Sequence, residues 1–127
     1  LNIIGIDITG SGFYAKGMGA IFMGDAFLGT GEANQGVDSD GELQSSYGFI
    51  AQAMYTLPSK KLSFGGSYGG NYISDSNGYG QTALTFQGTY HWTKSLRAVA
   101  EYSLVTVGDD SFDADMNTFS AGLMLFY

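Results

Sequence analysis

Arg97 and Glu101 in "LRAVAEYSL", Asp7 in "LNIIGIDIT" and Lys16 in "GFYAKGMGAIFMG" fall where a period-two alternation turns each of them away from the apolar side of its segment. Gln81, Thr85, Gln87 and His91 in "QTALTFQGTYHW" share that polar parity. A strand sends alternate residues to opposite faces, so such a set lines a wall. Charges of both signs on a wall pair with each other and keep it hydrated.

The other chemistry-bearing patterns lead nowhere. His91 is the single histidine, with no nucleophile motif beside it from which a Ser-His-acid site is built. The acidic run "GDDSFDAD" lacks the sixth-position glycine and closing glutamate of an EF-hand loop, which leaves solvated acids or outer bridging by divalent cations. "GTGEAN" and "GSGFYAKG" hold Gly-x-Gly outside a strand-to-helix setting. Cysteine is absent, which removes thiol nucleophiles, thiolate metal sites and disulfides. No catalytic residue, metal site or cofactor is expected.

The elements that carry these residues follow from composition and periodicity. The chain has 127 residues, read as one domain over 1–127, with 20 glycines, nine tyrosines, nine phenylalanines and one proline. Charged residues make up 13%, against about 25% in ordinary domains. A net charge of −7 with five Lys and Arg argues against a nucleic-acid binder. No apolar run approaches the roughly 18–20 residues of a membrane helix, the longest being stretches such as "AIFM" and "LMLFY". A mean hydropathy of +0.01 does not argue against a membrane, because alternating strands hide from such averages. The first residue is not methionine and no basic-then-apolar leader stands at the start, so a processed or truncated chain is expected.

Alternation predicts seven strands, near 1–9, 13–24, 45–57, 61–73, 80–92, 96–106 and 116–127. Their apolar faces carry Ile4, Ile6 and Ile8; Phe13, Ala15, Ile21 and Met23; Tyr47, Phe49 and Tyr55; and Leu62, Phe64, Tyr68 and Tyr72. The last three continue with Leu84, Phe86, Tyr90 and Trp92; Leu96, Tyr102 and Leu104; and Phe119, Leu123, Leu125 and Tyr127. Short turns at 10–12, 58–60 and 93–95 take turns with longer loops at 25–44, 74–79 and 107–115, as an up-and-down meander requires. Ten of the twelve acids lie in the long loops, and all five bases lie near short turns. One rim is expected to be acidic and the other basic.

A strand of about 11 residues, rising about 3.3 Å each and tilted by about 40°, spans roughly 28 Å, the apolar depth of an outer membrane. Aromatics gather toward both strand ends, as interfacial girdles do. Backbone groups in hydrocarbon must all be paired, which demands closure. The fold expected is all-β, an antiparallel up-and-down transmembrane β-barrel. A soluble sandwich or lipocalin-like barrel would need charges on its outward face.

The closing segment "FSAGLMLFY", alternating and ending on an aromatic, resembles the C-terminal signature of Gram-negative outer-membrane barrels. More of the chain, "TALTFQGTYHWTKSLRAVAEYSLV", an acidic loop and "NTFSAGLMLFY", resembles the last strands of a general porin, with Glu101 and Tyr102 as the acidic-aromatic pair. The resemblance covers about the last 50 residues. It implies an outer-membrane location in a Gram-negative bacterium and diffusion of small hydrophilic solutes and ions. It also implies a homotrimer, contacts with lipid and lipopolysaccharide, and recognition of the last strand by the barrel-assembly machinery. Inward charges would then set a transverse field across a pore. Seven strands put the two chain ends on opposite sides, whereas bacterial single-chain barrels have even numbers. The expectation is therefore the C-terminal part of a longer porin. The alternative is a small eight-stranded structural or adhesive barrel with a filled, non-conducting interior.

Overall fold

The computed structural model describes residues 2–3, 5–17, 37, 40–74, 80–109 and 112–126. They build one antiparallel sheet in strict sequence order: β1 (Asn2–Ile3), β2 (Ile6–Lys16), β3 (Ser45–Thr56), β4 (Leu62–Ile73), β5 (Gly80–His91), β6 (Leu96–Asp109) and β7 (Phe112–Leu125). Six strands are long, and β1 is a two-residue stub paired to the start of β2. Among the described residues the sheet is open, with no pairing between β7 and the β1–β2 edge. No described helix is long and apolar enough to cross a membrane, which says nothing of crossing by strands.

The hairpins close by local chemistry. Gly5 precedes β2 at φ +81°, a conformation costly for any residue with a Cβ, and its carbonyl accepts from Thr56 N at 3.0 Å. Between β3 and β4, Lys60 N donates to Leu57 O at 2.8 Å with Pro58 at the second turn position. Between β5 and β6, Thr93 Oγ1 accepts from the amides of Ser95 and Leu96, at 3.2 and 3.0 Å. These connections define a turn end. The opposite strand ends, at Lys16, Ser45, Ile73, Gly80, Asp109 and Phe112, define the loop end.

The start of the chain departs from expectation. "GSG" at 10–12 is no turn: Gly10, Ser11 and Gly12 lie inside β2, opposite Ala51, Ile50 and Phe49. Both glycines pair with β3 without interrupting the ladder, so one strand replaces the C-terminal part of the first expected strand and the start of the second. An unbroken strand keeps its parity. Ile6 and Ile8 on the apolar face therefore carry Tyr14 and Lys16 with them, while Phe13 and Ala15 share the other face with Asp7. This corrects the placement of Phe13, Ala15 and Lys16; Ile21 and Met23 lie outside the described residues. At the other end β6 and β7 pair out to Asp109 and Phe112, so Asp113 and Asp115 stand in a strand on the apolar-face parity, not in a loop. Lys16 lies at the loop end, and the basic turn end keeps Lys60, Lys61, Lys94 and Arg97.

The faces differ sharply, and there is hardly a core between them. Ile73 is the one buried hydrophobic among the described residues. Phe119, Leu123, Leu125 and Trp92 are each 65–70% exposed on the apolar face. Cross-strand aromatics order that face: Tyr47 stacks on Tyr72 at 5.1 Å, and Tyr55 meets Phe64 edge-on at 5.7 Å.

Glycine packing gives a paired test. A Cβ on Gly65 would collide with the Ala53 carbonyl and Met54, whereas one on Gly88 would meet nothing within 4 Å. Gly65→Ala is expected to destabilise the folded chain by about 1–3 kcal/mol in urea unfolding, and Gly88→Ala to be neutral or to stabilise by up to about 1 kcal/mol. Equal midpoints for the two variants would contradict the register of β3 on β4.

Candidate functional site on the polar face

Following the ladders from strand to strand resolves the polar face into rows. One row reads Thr9, Gln52, Ser67, Thr85, Ser103, Thr118: a hydroxyl or amide on every long strand. The next row toward the turn end reads Asp7, Met54, Gly65, Gln87, Glu101, Ser120, with a carboxylate on β2 and another on β6. Toward the loop end, Phe13, Gly48, Asn71 and Gln81 form a row with the Phe13 ring lying across the glycine.

The uncharged rows enclose a hollow of about 330 Å³ bounded by Ser11, Phe13, Ile50, Ser67, Asn71, Gln81 and Thr85. At its side, Ser103 Oγ donates to Glu101 Oε1 at 3.4 Å. Thr85 Oγ1 and Ser103 Oγ share a 3.0 Å hydrogen bond in which either hydroxyl can donate. Thr85 and Ser103 thus link by hydroxyl contacts to the Glu101 carboxylate.

Seven of the eight expected wall residues share this face: Asp7, Gln81, Thr85, Gln87, His91, Arg97 and Glu101. Lys16 does not, for the parity reason given. Arg97 and Glu101 lie on one strand four residues apart, about 13 Å along it, too far to pair. Instead the Arg97 guanidinium carbon sits 4.5 Å from the centre of the Phe126 ring. His91 is the cross-strand partner of Arg97. Asp109, Asp113 and Asp115 of the acidic run lie in the β6–β7 ladder, where Thr106 Oγ1 donates to Asp115 Oδ1 at 2.7 Å. No group of three or more potential metal ligands occurs among the described residues.

Sequence reasoning missed the Arg97–Phe126 contact, although their facing positions were recoverable once Met124 was placed on the polar side. It also missed Phe13 as a wall residue, because the expected turn at 10–12 reset the parity before it. Comparison with protein-family models, curated proteins and solved structures finds no match to the chain.

Removing the Thr85 hydroxyl tests this link. Thr85→Val is expected to cost about 1 kcal/mol in urea unfolding, since Ser103 loses a part-buried partner. Thr85→Ser, which keeps the hydroxyl, is expected to retain most of that stability.

Proposed function

We propose that the chain is part of the wall of a transmembrane antiparallel β-barrel in the outer membrane of a Gram-negative bacterium. It acts there as a porin-like channel for passive diffusion of small hydrophilic solutes and ions, without catalysis. One observation carries the reading: a single sheet exposes large apolar side chains on one face and hydroxyls, amides and sparse charge on the other, with Ile73 as its only described buried hydrophobic. A contiguous apolar face of that extent needs a cover, and lipid is the cover that fits rings of tyrosine and tryptophan at its two ends.

The stagger of the strands supports the same reading. Ile6, where β2 begins, is level through the ladders with Ala100, four residues inside the start of β6 at Leu96. Four residues of rise over four strand spacings corresponds to an inclination of roughly 35°, the tilt of barrel strands. The free edges suit closure as well: β7 runs antiparallel to β2, so strands supplied beyond either one continue the meander to a closed ring. In the favoured form those strands belong to a longer porin chain, and the assembled unit is a homotrimer in contact with lipid and lipopolysaccharide. The last strand is its address to the assembly machinery.

A second reading has its own observation. Ile50, Val105 and Met116 share a row of the polar face, and Phe13 is nearby. Side chains of that kind suit the filled interior of a small, non-conducting structural or adhesive barrel. Conductance in planar bilayers separates the two, since the filled barrel gives none.

The native chain has no cysteine to interfere with labelling. Single cysteines at Thr9, Gln52, Ser67 and Thr85 in lipid-reconstituted chain are expected to react with a membrane-impermeant thiol reagent. Those at Ile8, Ala53, Leu84 and Phe86 are expected to stay unlabelled. Reaction at both sets would rule out lipid on the apolar face. For the channel itself, Asp7→Asn and Glu101→Gln are each expected to shift the reversal potential toward anion preference by several millivolts in a tenfold salt gradient. No shift in either would remove these carboxylates from the solute path.

A further inference from the structure

At the turn end of the polar face three cationic or donor side chains stand abreast on adjacent strands. Arg97 on β6 is the register partner of His91 on β5. His91 N in turn donates to the carbonyl of Lys61 at 2.8 Å, which places Lys61, the residue before β4, level with His91 on its other side. All three have the polar-face parity. Directly opposed residues lie about 5 Å apart, so the three positions span roughly 10 Å of the face.

Arg97 is the best defined of them. Its guanidinium lies over the Phe126 ring at 4.5 Å, and its Nε is buried without a hydrogen-bond partner. Phe126 is itself fixed, its amide donating to Ser95 O at 2.8 Å. A buried guanidinium N–H normally has an acceptor. Among the described residues of its own strand on this face, the nearest carboxylate is Glu101, about 13 Å along β6, and it is engaged by Ser103. The row itself contains no acid: beyond Arg97 it ends on Met124.

We infer that Lys61, His91 and Arg97 form an oxyanion seat at the turn end of the polar face, which takes the phosphate group of a small solute. Three donors on three strands match the several oxygens of a phosphate better than the two of a carboxylate. The planar fork of Arg97, held by Phe126, supplies paired N–H groups in fixed geometry. Lys61 adds a mobile point charge from the exposed turn, and His91 offers a ring N–H in either protonation state. The seat rests on the reading that this face meets water and solute. It adds to that reading a stop for phosphorylated solutes at one mouth.

The test is phosphate binding by the full chain folded in maltoside micelles, which contain no phosphate, followed by titration calorimetry with inorganic phosphate. Saturable binding is expected, weakened at least tenfold by Arg97→Ala, severalfold by Arg97→Lys and by His91→Gln, and unchanged by Lys94→Ala. Circular dichroism reports whether each variant keeps its strands; should Arg97→Ala fail to fold, Arg97→Lys and Lys61→Gln decide. Absence of saturable binding in the unaltered chain, or equal affinity in the folded Arg97 and Lys61 variants, overturns the seat. Adding phosphatidylglycerol to the micelles separates the sources of phosphate. No competition is expected, and competition at the same residues would overturn the solute assignment in favour of a lipid headgroup. Bilayer conductance is recorded separately. A chain that conducts without binding phosphate loses the seat and keeps the channel, and one that binds without conducting does the reverse.

Discussion

An unbroken ladder of backbone hydrogen bonds constrains everything else in this molecule. Each long strand is paired along nearly its whole length with the next, and side chains alternate with a period of two, so the face of one residue sets the face of all the others. Moving a single strand by one residue would turn Leu84, Phe86 and Tyr90 toward Thr85's neighbours and Gln87 toward the tyrosines. The apolar face is a property of the ladder as a whole. It also has no second layer within the described chain, so its stability depends on what lies against it and on further strands at its edges.

The glycines make the ladder compatible with so many aromatics. Tyr72 lies where Cβ atoms on Gly70 and Gly80 would be, and Phe13 lies across Gly48. Large rings thus fold down onto the sheet over residues without side chains, an arrangement that covers exposed backbone and fixes register at once. Gly65 does something different, letting β4 approach the Ala53 carbonyl. Replacement of these positions by a uniform small residue would be felt unequally, which is how individual packing differs from composition.

The middle of the fold was legible in the sequence. Strands expected at 45–57, 61–73, 80–92 and 96–106 appear as Ser45–Thr56, Leu62–Ile73, Gly80–His91 and Leu96–Asp109, because each alternates cleanly between turn formers. The polar parity of Gln81, Thr85, Gln87, His91, Arg97 and Glu101 came with them. The beginning was not legible. "GSG" has the local chemistry of a turn, and only its non-local pairing with Ala51 and Phe49 reveals a strand. Lys16 then fell on the wrong side through a lost parity, not through any property of lysine. Asp113 and Asp115 read as loop acids in the sequence because charge density outweighs alternation in a short window. The row of Lys61, His91 and Arg97 was invisible for another reason: it depends on the relative register of three strands.

Register also changes what the wall charges can do. Opposite charges across a pore produce a transverse field, and Arg97 with Glu101 looked suited to one side of that arrangement. The ladders place them at different heights instead. Asp7 and Glu101 share one row, Arg97 lies two polar rows nearer the turn end with His91, and a band of uncharged hydroxyls and amides lies on the loop-end side of the carboxylates. Potential along this wall therefore varies mainly along the strands, from neutral through negative to positive. A solute moving parallel to the strands would meet these environments in sequence. Its charge would govern where it pauses, and the uncharged hydroxyl row would hold it by hydrogen bonds that are easily exchanged for water.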